Sequence, residues 1–227
     1  MILSGHQPTY LPGILLFSKI ALSDKFMFVG HCQASPGTWH NRNRIRGCSY
    51  LTIPIRNEFG VSINETRFAG DNWKRKHLRS MEMAYSKAPY FDRYYIPLAK
   101  FYELDWDTLG PFNIELIRNL CEWLDIKTPI LDSRDFQSPD WGHKTDMLIN
   151  MCRATGCNQY LSNAGSIAYV DENKMATRGI KHLWQRFTHP IYDQGHPEFL
   201  TNLSVIDLLF NKGPEAGQIV RQSGYIG

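Results

Sequence analysis

The first thirteen residues constrain the fold of this chain more than any other stretch. An apolar run opens the chain and stops at Gly5-His6-Gln7-Pro8, and a helical apolar pattern follows over residues 14–22. In an open α/β sheet, ligands bind just outside the carboxyl ends of buried strands. We therefore expect His6 and Gln7 to face a ligand, in a turn stiffened by the nearby prolines and glycines. The structural alternative is an edge strand followed by an ordinary turn.

Strand and helix patterns alternate along the chain. A second apolar strand is expected over residues 25–30, so strand, helix and strand fall within thirty residues and predict a βαβ unit with a parallel pair. A polar loop is expected over 39–46 and an outer strand over 50–55, whereas 71–125 is mainly helical in pattern. We predict one α/β domain over residues 1–227, with a mainly parallel, Rossmann-like sheet, flanking helices and a helical insertion.

Composition excludes several classes of protein. The formal net charge of +3 is too small to indicate a nucleic-acid binder. No apolar run approaches the roughly 18 residues that a membrane span needs, and Met1 leads directly into the first strand without a secretory signal. The five cysteines form no regular framework, which favours a reducing cytoplasm over a disulfide scaffold.

The cysteines give only weak signals for a metal or a nucleophile. Cys152 and Cys157 have a spacing found in some zinc sites, but no second Cys/His pair stands at zinc spacing, and small buried cysteines are the commoner explanation. We therefore assign no metal. Cys32 and Cys48 flank a basic segment, and neither has a triad partner that the sequence can place.

The segment from His6 to Gly13, HQPTYLPG, resembles the opening motif of the WbqC-like family. The resemblance covers essentially the whole chain, through Gln33, Asn41-Arg42-Asn43-Arg44-Ile45, Trp73, Lys76-His77, Ala88-Pro89-Tyr90-Phe91, Tyr160-Leu161-Ser162, Tyr169 and His189-Pro190-Ile191-Tyr192. His31 departs from the pattern, because an acidic residue is expected near that position.

The resemblance implies a function in biosynthesis. Members of this family are associated with gene sets for bacterial surface polysaccharide (O-antigen) and secondary metabolites. A reaction suggested for them is acyl or aminoacyl transfer to an amine, such as the amino group of a nucleotide-linked sugar. We therefore expect a small-molecule substrate, an acyl or aminoacyl thioester as the donor and an acyl carrier protein as a candidate partner; no other cofactor is implied.

Site residues follow from the chemistry of amide formation, which needs a base for the attacking amine and donors for an oxyanion. We expect His6 to be the base, since imidazole titrates near neutrality, with Asp24 to orient it. The residues expected to bind substrate are Gln7, Tyr10, Lys19, Gln33, Asn41, Arg42, Asn43, His77, Tyr160, Ser162 and Tyr169. Arg42 or Arg44 suits a diphosphate, and so does Lys19 or the pair Lys76 and His77. The neutral amides of Asn41, Asn43 and Gln33 suit a carbonyl or sugar hydroxyls. Each has a structural alternative: a helical lysine is usually solvated and a loop asparagine usually forms a turn.

Two other classes of function stay open. A first strand followed by a histidine-containing turn also resembles the opening of nucleotidyltransferases and pantoate-ligase-type enzymes, which implies an ATP-dependent amide-forming ligase that uses Mg-ATP. This chain lacks their second histidine, since Leu16-Phe17-Ser18 occupies that region. The third class is a non-catalytic module that binds a sugar nucleotide or a partner protein. Dependence on Mg-ATP separates the first alternative from a transferase.

Overall fold

The computed structural model describes residues 1–56, 58–136 and 140–227, with the backbone alone for Cys48 and Ser49. The described residues form the strands β1 (Ile2–His6), β2 (Lys25–Phe28), β3 (Arg42–Ile45), β4 (Cys48–Thr52), β5 (Ile130–Asp132), β6 (Gln159–Ser162), β7 (Lys181–Phe187) and β8 (Gly224–Ile226). Six of them build the main sheet in the order β5-β2-β1-β6-β7-β8.

The main sheet is parallel except at one edge. Strand β1 pairs in parallel with β2 on one side and with β6 on the other, and β8 pairs antiparallel with β7. This confirms the predicted α/β fold with a mainly parallel sheet, including the βαβ unit at the start. The chain runs from β1 outward to β2 and then β5, and returns across β1 to β6 and β7. The strand order therefore reverses between β1 and β6, where α/β sheets open a crevice.

Helices cover both faces of the sheet. They are α1 (Ile14–Ala21), α2 (Asn72–Tyr85), α3 (Phe91–Glu103), α4 (Leu109–Trp123), α5 (Thr145–Thr155), α6 (Glu172–Thr177), α7 (Val205–Lys212) and α8 (Ala216–Gln222). Helices α2, α3 and α4 lie between β4 and β5 in the chain, within the predicted helical insertion. Within the ranges that the structure describes, no helix is long and apolar enough to cross a bilayer.

Strand β2 contributes to two cores, because successive side chains of a strand point to opposite faces of the sheet. In β2, Phe26 and Phe28 join the larger core with α1, α4, α7 and α8, while Met27 joins the smaller core under α5. In β1, Gly5 lets α5 and β6 approach, since a Cβ there would lie 2.6 Å from Met151 Cε and 3.1 Å from the hydroxyl of Tyr160. The end of β1 is thus closely packed on the α5 side.

The prediction of a polar loop over residues 39–46 was wrong in part, because Arg42–Ile45 forms the strand β3. It pairs antiparallel with β4 in a separate hairpin. The alternation of burial explains this: Asn43 and Ile45 point inward, while Arg42 and Arg44 are half-buried. The Asn43 side-chain amide donates hydrogen bonds to the carbonyls of Tyr10 (3.2 Å) and Leu11 (2.7 Å). The hairpin therefore anchors the loop that follows β1.

A buried polar network joins the hairpin to the C-terminal helices. The Asp207 carboxylate accepts hydrogen bonds from the hydroxyls of Tyr85 (3.0 Å) and Tyr192 (2.8 Å) and from the Gln194 amide (3.0 Å). The Tyr85 hydroxyl also accepts the backbone N–H of Arg46 at 3.0 Å. Burial raises the pKa of Asp207, and the three donors oppose that shift by stabilising the carboxylate. Its role here is structural.

Replacing the inward-facing amide of the hairpin is expected to destabilise the fold. The Asn43→Ala change leaves two buried carbonyls without this donor, which costs about 1–3 kcal/mol. For a chain of this size, thermal unfolding should shift down by about 2–4 °C per kcal/mol. The measurement is the melting temperature by calorimetry. The Gln33→Ala change on an exposed side chain is the control, and equal melting temperatures for the two variants would contradict the anchoring role.

Candidate functional site

A cavity of about 540 Å³ opens at the carboxyl ends of β1 and β6, where the strand order reverses. It lies against α5 and the segment after β6. Six of the residues that the sequence predicted for the site line it: His6, Gln7, Lys19, Tyr160, Ser162 and Tyr169. Cys32, Trp39 and Asn163 complete much of the remaining wall. The structure therefore brings part of the predicted site together in the crevice.

His6 ends β1 with a defined tautomer. Its Nδ1 lies 2.8 Å from the carbonyl oxygen of Gln7. A carbonyl only accepts, so Nδ1 carries the proton and Nε2 keeps its lone pair. Desolvation by burial, and then the positive charge of Lys19, lower the pKa of His6 to about 4. His6 is therefore neutral at pH 7, with Nε2 available as an acceptor.

Lys19 is a buried cation at the wall of the cavity. It projects from α1, its Nζ donates to the Gly5 carbonyl at 2.9 Å, and it lies 5.9 Å from the centroid of the Phe26 ring. Only 4% of the residue is exposed, and burial lowers its pKa to about 8. No carboxylate of the described residues lies within ion-pair distance of it. Buried charges are normally paired, so this environment favours an anionic ligand group.

Gln7 is held in place by a second histidine. The His40 Nδ1 accepts the backbone N–H of Ser35 at 3.2 Å, so its Nε2 carries the proton and donates to Gln7 Oε1 at 2.8 Å. Burial lowers the pKa of His40, which keeps it neutral. The side chain of Gln7 is therefore fixed with its NH₂ group free of hydrogen bonds to the described residues.

Ser162 ends β6 and bonds to a histidine that sequence reasoning missed. The Ser162 hydroxyl lies 2.9 Å from Nε2 of His182 on β7, and Nδ1 of His182 lies 3.7 Å from a carboxylate oxygen of Glu172 on α6. The signal in the sequence was weak, because these three residues come from separate elements and meet only through the parallel pairing of β6 with β7.

Four residues predicted to bind substrate are instead buried in the fold. The Tyr10 hydroxyl contacts the Tyr102 hydroxyl and donates to His77 Nδ1 at 2.8 Å, while His77 Nε2 donates to the Thr52 carbonyl at 3.2 Å. Asn41 bonds the Ile53 carbonyl, and Asn43 anchors the loop after β1. All four side chains therefore have partners within the chain and lie outside the cavity wall.

Three further predicted residues lie away from the cavity wall. The Arg42 guanidinium stacks 4.4 Å from the centroid of the Tyr50 ring, and Gln33 is exposed in a bridge with Ser62. The Asp24 carboxylate accepts the backbone N–H of Ile2 at 2.7 Å, which places it at the opposite end of β1 from His6. The structure does not allow Asp24 to orient His6, because the length of the strand separates them.

The cysteines and the other depressions add little to the site. Cys32 is a half-buried free thiol at the cavity wall, and the side chain of Cys48 is outside the described residues. A wider groove of about 1110 Å³ runs between α2 and α3, but it is an open surface lined by Lys74, Arg75, Arg79 and Glu82 among others. We place the candidate site in the smaller cavity, where buried polar groups converge.

The fold and the cavity define the class of this protein: a doubly wound α/β protein with its candidate site at the switch point between β1 and β6. The chain belongs to the WbqC-like protein family, whose model matches residues 7–219. It is 32% identical over 222 residues, 95% of each chain, to "Uncharacterized protein Rv1507c" of Mycobacterium tuberculosis (strain ATCC 25618 / H37Rv). No solved structure matches it.

Removing the buried charge should change the titration of the neighbouring imidazole. In the Lys19→Met variant the pKa of His6 should rise from about 4, because a cation that disfavours the imidazolium is gone. The measurement is an NMR titration of the histidine ring nitrogens. The Lys19→Arg variant keeps the charge and is the control; an unchanged His6 titration in Lys19→Met would contradict the coupling.

The neutral histidine in the core should make the fold sensitive to acid. Burial lowers the pKa of His77 to about 4, whereas an unfolded histidine titrates near 6.5. Between these two pH values the unfolded chain therefore binds more protons than the folded chain. The contribution of neutral His77 to the free energy of unfolding is fully present above about pH 6.5 and is lost as the pH drops toward 4. The His77→Gln variant retains a donor and an acceptor but does not titrate. Its denaturant midpoint should fall less than that of the parent chain over this pH window.

Proposed function

We propose that this protein is an enzyme that transfers an acyl or aminoacyl group to an amine, with His6 as the base. The acceptor is an amine such as an amino sugar on a nucleotide carrier, and the donor is an acyl or aminoacyl thioester. The observation that carries the proposal is His6 itself: it is a neutral imidazole at the cavity wall, with Nδ1 fixed by the Gln7 carbonyl and Nε2 without a hydrogen-bond partner among the described residues.

Amide formation gives this imidazole a defined task. When an amine attacks a carbonyl carbon, its nitrogen becomes positively charged and must lose a proton before the amide can persist. His6 Nε2 has the lone pair to accept that proton. The Gln7 side-chain NH₂ group and the hydroxyl of Tyr169 at the same wall are suited to hold the acceptor in place.

Lys19 supports the proposal because it favours an anionic substrate group in the same cavity. A phosphate of a nucleotide carrier or of a pantetheine arm would place negative charge beside Nζ. That negative charge would also offset the repulsion between Lys19 and protonated His6, and so raise the pKa of His6 toward the working range of a base. Substrate binding and proton transfer are thereby coupled.

The family suggests the biological setting of the reaction. Association of WbqC-like proteins with surface-polysaccharide (O-antigen) and natural-product gene sets supports a biosynthetic transferase that works in the cytoplasm, where nucleotide-linked sugars are made. An acyl carrier protein is a fitting source of the thioester. In this setting the protein modifies a small molecule and needs neither nucleic acid nor a membrane span.

Loss of His6 is expected to remove turnover while substrates still bind. The assay incubates acetyl-coenzyme A with a nucleotide-linked amino sugar and measures amide by mass spectrometry. His6→Gln should lower kcat by about 10²–10⁴-fold, the usual contribution of a positioned base. His196→Gln, at an exposed histidine, is the matched control and should keep full turnover. Full turnover in a folded His6→Gln protein would exclude His6 as the base.

The same assay separates the alternative functions. An ATP-dependent ligase would make amide from a free carboxylic acid only with Mg-ATP, and a thermal-shift measurement would detect stabilisation by Mg-ATP. A binding module would be stabilised by the nucleotide-linked sugar and yield no amide with any donor. The transferase predicts stabilisation by the thioester or the amino sugar, and product without ATP.

A further inference from the structure

We propose that Ser162 is a nucleophile that carries the acyl group as an ester, with His182 as its base and Glu172 as the positioning residue. The proposal rests on acyl transfer as the proposed function and adds a covalent intermediate to it. It makes the reaction a two-step transfer in which the donor leaves before the amine reacts.

The three side chains form a connected line from Ser162 at the cavity, through His182 on β7, to Glu172 on α6. The Ser162 hydroxyl lies 2.9 Å from His182 Nε2, which is within reach of a base for its nucleophile. On the other side of the ring, His182 Nδ1 lies 3.7 Å from Glu172 Oε1. Glu172 Oε1 is itself fixed by the indole N–H of Trp184 at 2.7 Å. This is the order of groups by which serine is activated on unrelated folds.

The surroundings of His182 select the tautomer that activation needs. Its side chain is 1% exposed, and Nδ1 has no hydrogen-bond partner among the described residues. A carboxylate beside Nδ1 favours the proton on that nitrogen, which leaves Nε2 to accept the hydroxyl proton of Ser162. The gap of 3.7 Å needs only a small movement of Glu172, which lies half-exposed on the short helix α6. Such contacts are often loose before substrate binds.

Ser162 lies at the wall of the cavity in which the proposal places the acyl group. It is the last residue of β6, and the parallel register that pairs Ser4 with Leu161 brings it beside Gly5, next to His6. It lines the same cavity as His6 and Lys19. The base for the incoming amine and the proposed nucleophile therefore meet the same bound substrates.

The chemistry balances with an acyl thioester as the donor. The Ser162 oxygen bonds to the carbonyl carbon while its proton passes to His182 Nε2; the carbon–sulfur bond then breaks, and the thiol leaves with that proton. The amine next attacks the ester and gives its proton to His6, while the Ser162 oxygen leaves and takes a proton that His182 Nε2 has picked up from solvent. The proton on His6 is released to solvent, and the products are an amide and a free thiol.

The test uses p-nitrophenyl acetate with the full-length protein and measures intact mass and p-nitrophenol release. We expect one acetyl group per chain, located at Ser162 by peptide mapping. Ser162→Ala should abolish the adduct, while Ser162→Cys should restore an acetylated species as a thioester. Ser166→Ala, which removes another hydroxyl of the cavity, is the matched control and should keep the adduct.

The roles of the other two residues are tested by rate and by pH. His182→Gln should slow acetylation by about 10²–10⁴-fold. Burial lowers the pKa of His182 and Glu172 raises it, so Glu172→Gln should slow acetylation and move the inflection of its pH profile to lower pH. A residue that only stabilises the fold would lower the melting temperature without moving that inflection.

Failure of this proposal differs from failure of the proposed function. Amide formation that persists in a folded Ser162→Ala protein, or acetylation that does not map to Ser162, would overturn the covalent step and leave direct transfer with His6 as base. A Ser162 adduct that forms normally while no amine accepts the acyl group would uphold the nucleophile and contradict the transferase.

Discussion

The parallel pairing of β1 with both β2 and β6 is the constraint on which the rest of the structure depends. Because β1 lies inside the sheet, its end is closed on both sides by neighbouring strands, and its last residues can only continue into the crevice. The chain leaves β1 toward β2 on one side and later returns to β6 on the other side. The helices of these connections therefore diverge and leave the gap between β1 and β6 uncovered. His6 and Ser162 line the same cavity for this reason, although they are far apart in the chain.

Polar groups buried in the fold hold the walls of this crevice. Asn43 ties the loop after β1 to the hairpin, the His77 and Tyr10 pair fixes that loop against α2, and Asp207 joins the hairpin to the C-terminal helices. Each of these side chains makes its hydrogen bonds inside the protein. It therefore fixes the geometry of the segments it joins and is not itself needed to bind a ligand. The loop after β1 is thereby held in place by hydrogen bonds to the hairpin and to α2.

The sequence allowed the sheet to be predicted better than the site. The apolar runs of β1 and β2 are local signals, and so is the helical spacing of α1. Tyr10 and His77 were expected at a ligand because they lie in segments that resemble the WbqC-like family, yet hydroxyl and imidazole groups make equally good hydrogen bonds inside a core. His182 and Glu172 escaped prediction because their relation to Ser162 depends on strand register, which no local pattern contains.

The buried charge of Lys19 affects which variants of this protein a laboratory screen would retain. A buried ammonium group that has no carboxylate partner among the described residues makes the protein less stable than its packing alone would allow. A neutral side chain of similar shape at position 19 would remove the cost of burying the charge. A library of variants screened for heat resistance alone should therefore lose the lysine. Retaining it would require a screen that rewards the occupied cavity, since stability and activity place opposite demands on this single side chain.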